Sequence, residues 1–190
     1  METITIQIFQ DDVYEEVAKA TDYTGAKLID GDATARDRIL AADEDLATLS
    51  RFWEESVMAC NERFKEILVR GGTKTMLVPF PDKIPFDKKE AMPQSPGNPI
   101  DPSLPVGPAL LGEYKIGYEA VIEVSKAFDK NLAESVESTL RSFFIASIIG
   151  QWFKFANKGE ASDYFTQGAE QIDSAERMLY SRKRPSIPTD

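Results

Sequence analysis

Proline at every third position between Pro93 and Pro108 constrains the chain more than any other feature. Nine of the chain's eleven prolines lie between Pro79 and Pro108. Proline lacks the backbone N–H and fixes φ, so this stretch forms neither a helix interior nor a central strand. Polyproline II has three residues per turn, so the six regularly spaced rings would align along one edge of a rod. They are Pro93, Pro96, Pro99, Pro102, Pro105 and Pro108.

Such a rod is suited to reaching a neighbouring molecule. At about 3.1 Å per residue, the stretch from Pro93 to Pro108 would span on the order of 50 Å. It cannot pair its own backbone, and it loses little entropy on docking because proline has already restricted it. We therefore predict that residues 79–109 form an extended arm that lies on another protein chain. The alternative is a flexible surface linker, which would not need the strict spacing.

Alternating apolar and polar residues predict a small β-sheet of two or three strands. Isoleucine at every second position makes residues 3–9 a half-buried strand. Residues 75–80 are predicted to form a second, short strand. Residues 114–125 alternate over a longer distance, which predicts one long strand or two short ones.

Apolar residues spaced three and four apart predict a long helix from Asp32 to Arg70. It would contain roughly 35 residues and end at Gly71-Gly72. The apolar face of this helix comprises Ile39, Ala42, Leu46, Leu49, Trp53, Val57, Cys60, Phe64 and Ile67.

Shorter helices are predicted on both sides of these elements. Residues 11–21 form one, followed by a loop that Gly25 marks. Asp129 or Asn131 caps another, and after a short turn the last helix covers about residues 160–181. Because the turn between them is short, the last two helices should pack as an antiparallel hairpin.

The predicted fold is mainly α, a helical bundle with a small β-sheet and an extended Pro-rich arm. One long helix and the C-terminal antiparallel hairpin make up the bundle. Residues 1–78 and 110–184 form a single domain, residues 79–109 are the arm, and residues 185–190 are a C-terminal tail.

The sequence contains no histidine and a single cysteine, Cys60. Catalytic triads that use histidine and the Glu-x-x-His di-iron sites of helix bundles are therefore excluded within this chain. Cys60 falls on the apolar face of the long helix and is interpreted as a buried spacer. Nucleotide-binding and hydrolase motifs are absent. We expect no enzymatic activity, no cofactor and no metal.

The net charge of −10 limits the kinds of partner that the chain can bind on its own. A chain this acidic repels phosphate backbones and anionic membranes, so autonomous binding to either is not expected. The most apolar stretch, Phe143–Phe155, is too short to span a bilayer. No secretion signal is recognised in the first residues. The protein is expected to be intracellular, or to be carried inside a particle assembled there.

Two further groups are candidate contact residues. A basic cluster follows the last helix and consists of Arg182, Lys183 and Arg184. These cations either stabilise the helix through its macrodipole or bind an acidic surface of a partner, which could be a second copy of the chain. The aromatic residues Phe143, Phe144, Trp152 and Phe155 are interpreted first as core. They cover a wide arc of the helix, so a neighbouring subunit is expected to cover part of them.

Three segments resemble those of small virion proteins of tailed bacteriophages that infect gut bacteria. They are Phe128-Asp129-Lys130-Asn131, Gly150-Gln151-Trp152-Phe153, and Leu179-Tyr180-Ser181-Arg182-Lys183-Arg184-Pro185. The resemblance covers residues 110–186 and is to neck, or head-to-tail connector, ring proteins.

The resemblance implies a virion protein, assembled in the bacterial cytoplasm, that forms a ring around an acidic DNA channel. Its partners would be copies of itself and the neighbouring ring proteins on the portal or tail side. DNA would lie close by without specific binding, and no membrane would be involved. Two alternatives stay open: an acidic helical adaptor outside the virion that binds and regulates a protein partner, and an enzyme of unrecognised type.

Overall fold

The structure is a computed structural model that describes residues 2–27, 41, 45–79, 112–156 and 158–182. This part of the chain is mainly helical with a small antiparallel sheet. The chain divides into two compact units, Met1–Lys74 with Ile116–Asp190, and Thr75–Lys115. In the second unit, the described residues are the end of one strand and the start of the next.

Four helices and three strands make up the described part of the chain. The strands are β1 (Glu2–Phe9), β2 (Leu68–Pro79) and β3 (Gly112–Val124). The helices are α1 (Gln10–Lys27), α2 (Leu46–Arg63), α3 (Ala133–Ala156) and α4 (Lys158–Leu179), with a short 3₁₀ helix at Lys130–Leu132. The sheet order is β1-β3-β2.

The two alternating segments pair with each other. β1 runs antiparallel to β3, in a register from Glu2 opposite Val124 to Phe9 opposite Gly117. Ile6 and Ile8 are buried and the threonines between the isoleucines are exposed, which confirms the predicted first strand. β3 is one long strand, and its alternate residues Tyr118, Ala120 and Ile122 are buried on the same side.

Helix α3 is the centre of the core. It packs against α1, α2, α4 and β1. A helix with neighbours on so many sides must be apolar over most of its circumference, and α3 is. Its buried residues include Val136, Leu140, Phe144, Ile148 and Phe153.

Helices α3 and α4 run in opposite directions. Ala146 of α3 faces Gly168 of α4, and Gly150 faces Phe165 nearer the connection. A Cβ atom at position 150 would come within 3.1 Å of the Phe165 ring. A side chain at position 150 would therefore require the Phe165 ring to move by a few tenths of an ångström.

The prediction that the long helix continues to Arg70 is wrong. α2 ends at Arg63, and Phe64 starts a tight turn in which the N–H of Leu68 donates to its carbonyl at 2.8 Å. The Ile67 carbonyl then accepts from the N–H of Glu123 at 2.7 Å, so the chain has entered the sheet. Gly71 and Gly72 lie inside β2 rather than ending a helix. The part of the prediction before Leu46 lies outside the described residues, apart from Ala41 and Asp45.

The predicted end of the first helix is also wrong. α1 continues past Thr21 to Lys27, and Gly25 lies within it. Thr21 is buried, donates to the Val17 carbonyl at 2.9 Å and accepts from the N–H of Ala41 at 3.1 Å. The hydrogen bond with Ala41 joins α1 to a residue 20 positions further along the chain, a tertiary contact that the sequence pattern does not show.

Several predictions concern residues that are not described. The Pro-rich arm falls within residues 80–111 except for Pro79, and the tail at residues 185–190 is likewise outside the described ranges. Within those ranges, none of the helices combines the length and apolar character needed to cross a membrane.

Candidate protein-interaction surfaces

The described residues show neither a metal-binding cluster nor an activated thiol. They include no group of three or more carboxylates and cysteines placed to hold a metal ion. Cys60 is buried between α2 and the sheet, and burial raises the pKa of its thiol to about 12. The thiol is therefore protonated at neutral pH and is a poor nucleophile.

The outer face of the sheet carries a cluster of charges centred on Glu119. Lys74 Nζ and an Arg70 guanidinium nitrogen lie 2.7 and 2.8 Å from Glu119 Oε1, and Gln7 Nε2 donates to Oε2 at 3.3 Å. The Glu119 side chain is only 14% exposed. It connects β3 to both neighbouring strands. The hydrogen bond from Lys74 is the main reason why the pKa of this carboxyl lies below its ordinary value.

Glu119→Gln should lower the free energy of unfolding near neutral pH and leave it unchanged in acid. The folded state lowers the pKa of Glu119, so the carboxylate stabilises the fold above the ordinary value of 4.5, and this stabilisation disappears as the pH falls through the folded pKa. We expect a loss of about 1 kcal/mol at pH 7, measured by urea unfolding at several pH values. Glu123→Gln, four residues along the same strand, is the control. Equal losses at pH 3 and pH 7 would contradict the assignment.

Phe155 is the most exposed large apolar residue among those described, at 76%. Its ring stacks on that of Phe52 of α2, with centroids 6.5 Å apart and planes 11° apart. The Arg51 guanidinium lies 5.1 Å from the centre of the Phe52 ring. Phe143 and Phe144, by contrast, are buried, as predicted for core residues. The aromatic residues therefore divide into core and surface.

A second exposed apolar residue lies at the same end of the helices. Ser56 of α2 donates to Ser147 of α3 at 2.8 Å, nearer the middle of both helices than the Phe52–Phe155 pair. The two helices therefore run in opposite directions, and Leu46, 49% exposed at the start of α2, lies towards the end of α3. Phe155, Leu46 and Arg51 are named the Phe155 patch. Exposed aromatic, apolar and arginine side chains are typical of protein interfaces.

A groove lies where α2, β3 and α4 end, and it is named the C-terminal groove. It consists of two cavities of about 670 and 500 Å³ that share Glu66, Ile67 and Tyr180 in their walls. The first cavity extends to Phe143 and Ile172, and the second to the chain around Arg182. Each volume is in the range of ligand pockets.

Part of the charge around the groove is already paired. Arg63 lies 2.6 Å from Asp173 Oδ1 and also pairs with Glu176, which joins α2 to α4. Lys65 pairs with Glu62 at 2.6 Å. Lys126 and Arg182, in the wall of the second cavity, are exposed and are in no ion pair with a described residue. These two cations are available to a bound partner.

The predicted contact residues are only partly placed by the structure. Arg182 is exposed, forms a backbone bridge with Phe128, and lines the C-terminal groove. Lys183, Arg184 and the six regularly spaced prolines are outside the described residues. The groove itself was missed, because its walls come from segments far apart in sequence. The interpretation of Phe155 as core is wrong, since its side chain is 76% exposed. The wide aromatic arc of α3, part of which a neighbouring subunit is expected to cover, is the sequence signal for the Phe155 patch.

Comparisons with protein-family models, with curated proteins and with solved structures gave no match.

Proposed function

We propose that the chain is a virion structural protein, a head-to-tail connector subunit that assembles with copies of itself around a DNA channel. The observation that carries the proposal is the Phe155 patch. A phenylalanine side chain that is 76% exposed, at the end of the helices where Leu46 is also exposed, is unfavourable in water and is stabilised when a second protein covers it. The occupant is taken to be a neighbouring copy, because a ring is built by one such contact repeated.

The composition and the resemblance support the same assignment. A net charge of −10 is compatible with a channel through which DNA passes without adhering. The Pro-rich stretch between β2 and β3 has the length of an arm that contacts a neighbour. The three segments similar to neck proteins include Gly150, where the Phe165 ring crosses α3, and Arg182 in the wall of the C-terminal groove.

The experiment that tests the proposal is quantitative mass spectrometry of purified particles from the source that encodes this chain. Copies of the chain are counted against the major capsid protein. We expect a fixed number, the same in every preparation, as for any closed ring. Absence from particles, with abundant protein in the infected cell, would refute the virion assignment.

A second function is favoured by the C-terminal groove. A groove with an apolar floor and a charged rim is the type of site in which binding modules hold a peptide of a partner. The chain would then be an acidic helical adaptor that regulates a protein outside the virion. This function predicts a stable monomer or dimer in solution, tight binding to one partner, and no incorporation into particles.

A further inference from the structure

We propose that the C-terminal groove binds the proline-rich stretch Pro93–Pro108 of a neighbouring copy. This inference rests on the proposed function, because it names one of the contacts by which the subunits of a ring would hold each other.

The walls of the groove fit a polyproline II segment. Such segments dock in grooves lined with aromatic and apolar side chains, where the proline rings pack against the aromatic faces. Tyr180 is 57% exposed and borders both cavities, so its ring faces a ligand in either one. Phe143, Ile172 and Leu179 provide an apolar floor that helix packing already holds in place. A groove built on packed elements needs little reorganisation on binding.

The hydrogen-bonding needs of the stretch also match the groove. Polyproline II leaves its carbonyl groups without internal partners, and proline contributes no N–H, so a ligand of this type mainly needs donors. Tyr180 Oη, Lys126 and Arg182 are donors in the walls of the groove. The stretch contains a single charged residue, Asp101. Its carboxylate could pair with Lys126 or Arg182, which are in no ion pair with a described residue, although Glu66 and Glu123 line the same cavity.

A contact of this type between copies has the geometry that a ring needs. The groove and the proline-rich stretch are not the same surface, so joining one to the other between subunits is a heterologous contact. Heterologous contacts generate closed rings when the rotation between subunits divides a full circle. A contact of this type is therefore compatible with a ring subunit.

Cross-linking between two full-length variants tests the inference. One chain carries Glu66→Cys in the groove and the other carries Ser103→Cys in the proline-rich stretch. Glu66 borders both cavities, and Cys60 is buried and so does not compete. The control replaces Glu66→Cys with Glu55→Cys, a change of the same type on α2 outside the groove. Disulfide-linked pairs are measured after mild oxidation of the mixed chains, by gel and by mass spectrometry of the linked peptides.

We expect the 66–103 link between chains in clear excess over the 55–103 link. An excess of a synthetic peptide of residues 92–109 should suppress it, and a peptide of the same composition with scrambled order should not. Adding Tyr180→Ala to the groove variant should reduce the link about tenfold, as for loss of a central aromatic contact. A third variant carries Glu66→Cys and Ser103→Cys in the same chain. The inference is overturned by equal yields for the 66–103 and 55–103 pairs, by no link, or by a link that forms only within the chain that carries both cysteines. The count of copies in particles is independent of every one of these results.

Discussion

Replacing Trp53 with alanine should lower the free energy of unfolding by about 3–5 kcal/mol, the usual cost of removing a large buried aromatic side chain. Trp53 is 0% exposed. Its ring lies 4.8 Å from that of Phe144 of α3 and meets the Tyr14 ring of α1 edge-on at 6.3 Å, centroid to centroid. One side chain of α2 therefore contacts two other helices, and its removal leaves a cavity between all three.

The indole nitrogen adds a smaller, separable contribution. Trp53 Nε1 donates to Thr73 Oγ1 at 3.1 Å, and Thr73 donates to Glu54 Oε1 at 2.8 Å, so α2 is joined to β2. Thr73→Val removes only this pair of hydrogen bonds and should cost about 1–2 kcal/mol. Urea unfolding followed by far-ultraviolet circular dichroism measures both variants. Met58→Ala, 61% exposed on the same helix, should change the stability by less than about 0.5 kcal/mol. If Trp53→Ala lowers the free energy of unfolding no more than Met58→Ala does, the packing of Trp53 between the three helices does not stabilise the fold as proposed.

β1 and β3 could be predicted from sequence because these strands bury mainly one face. Ile6 and Ile8 of β1 alternate with exposed residues, and Tyr118, Ala120 and Ile122 of β3 alternate with partly exposed ones. The strand predicted at residues 75–80 is too short, because β2 begins at Leu68. A period of two residues is then visible along the chain itself. The antiparallel register between these strands could not be predicted, because the two segments are more than a hundred residues apart.

The end of α2 shows where periodicity fails. Phe64 and Ile67 keep the three-residue spacing of the helix, so the pattern continues although the helix does not. Phe64 is buried at the first position after the helix, and the Ile67 carbonyl is bound by the sheet. A residue buried in a turn satisfies the apolar pattern as well as one buried in a helix. Only the hydrogen bond to Glu123, a tertiary contact, distinguishes the two.

The candidate surfaces were predictable to different degrees. The wide aromatic arc of α3 indicates that part of it is left uncovered within the chain, but the pattern does not single out Phe155, which has the spacing of a core residue. The C-terminal groove could not be anticipated, because Ile67, Phe143 and Tyr180 meet only when three elements end at one place. Nothing local in sequence encodes such a meeting point.

Phe155→Glu should strongly weaken the association of copies and leave the fold almost unchanged. In the free subunit, residue 155 is exposed to water, so a carboxylate at this position is solvated. The substitution should therefore lower the free energy of unfolding only by the loss of the stacking on Phe52, which is worth about 0.5–1.5 kcal/mol. Beneath a second subunit the same carboxylate would be buried without a designed partner, which costs several kcal/mol. Since about 1.4 kcal/mol is a factor of ten, association should weaken by two to three orders of magnitude.

Sedimentation velocity of the purified chain, or incorporation into particles where assembly needs a partner ring, measures the effect. Met58→Glu is the matched control, because it places the same charge at an exposed apolar position outside the patch. Phe155→Tyr should retain association, since the ring and its stacking remain. If Phe155→Glu assembles as well as Met58→Glu, the patch faces solvent in the particle. The contact between subunits would then have to come from other surfaces, with the C-terminal groove and the proline-rich stretch as the first to test.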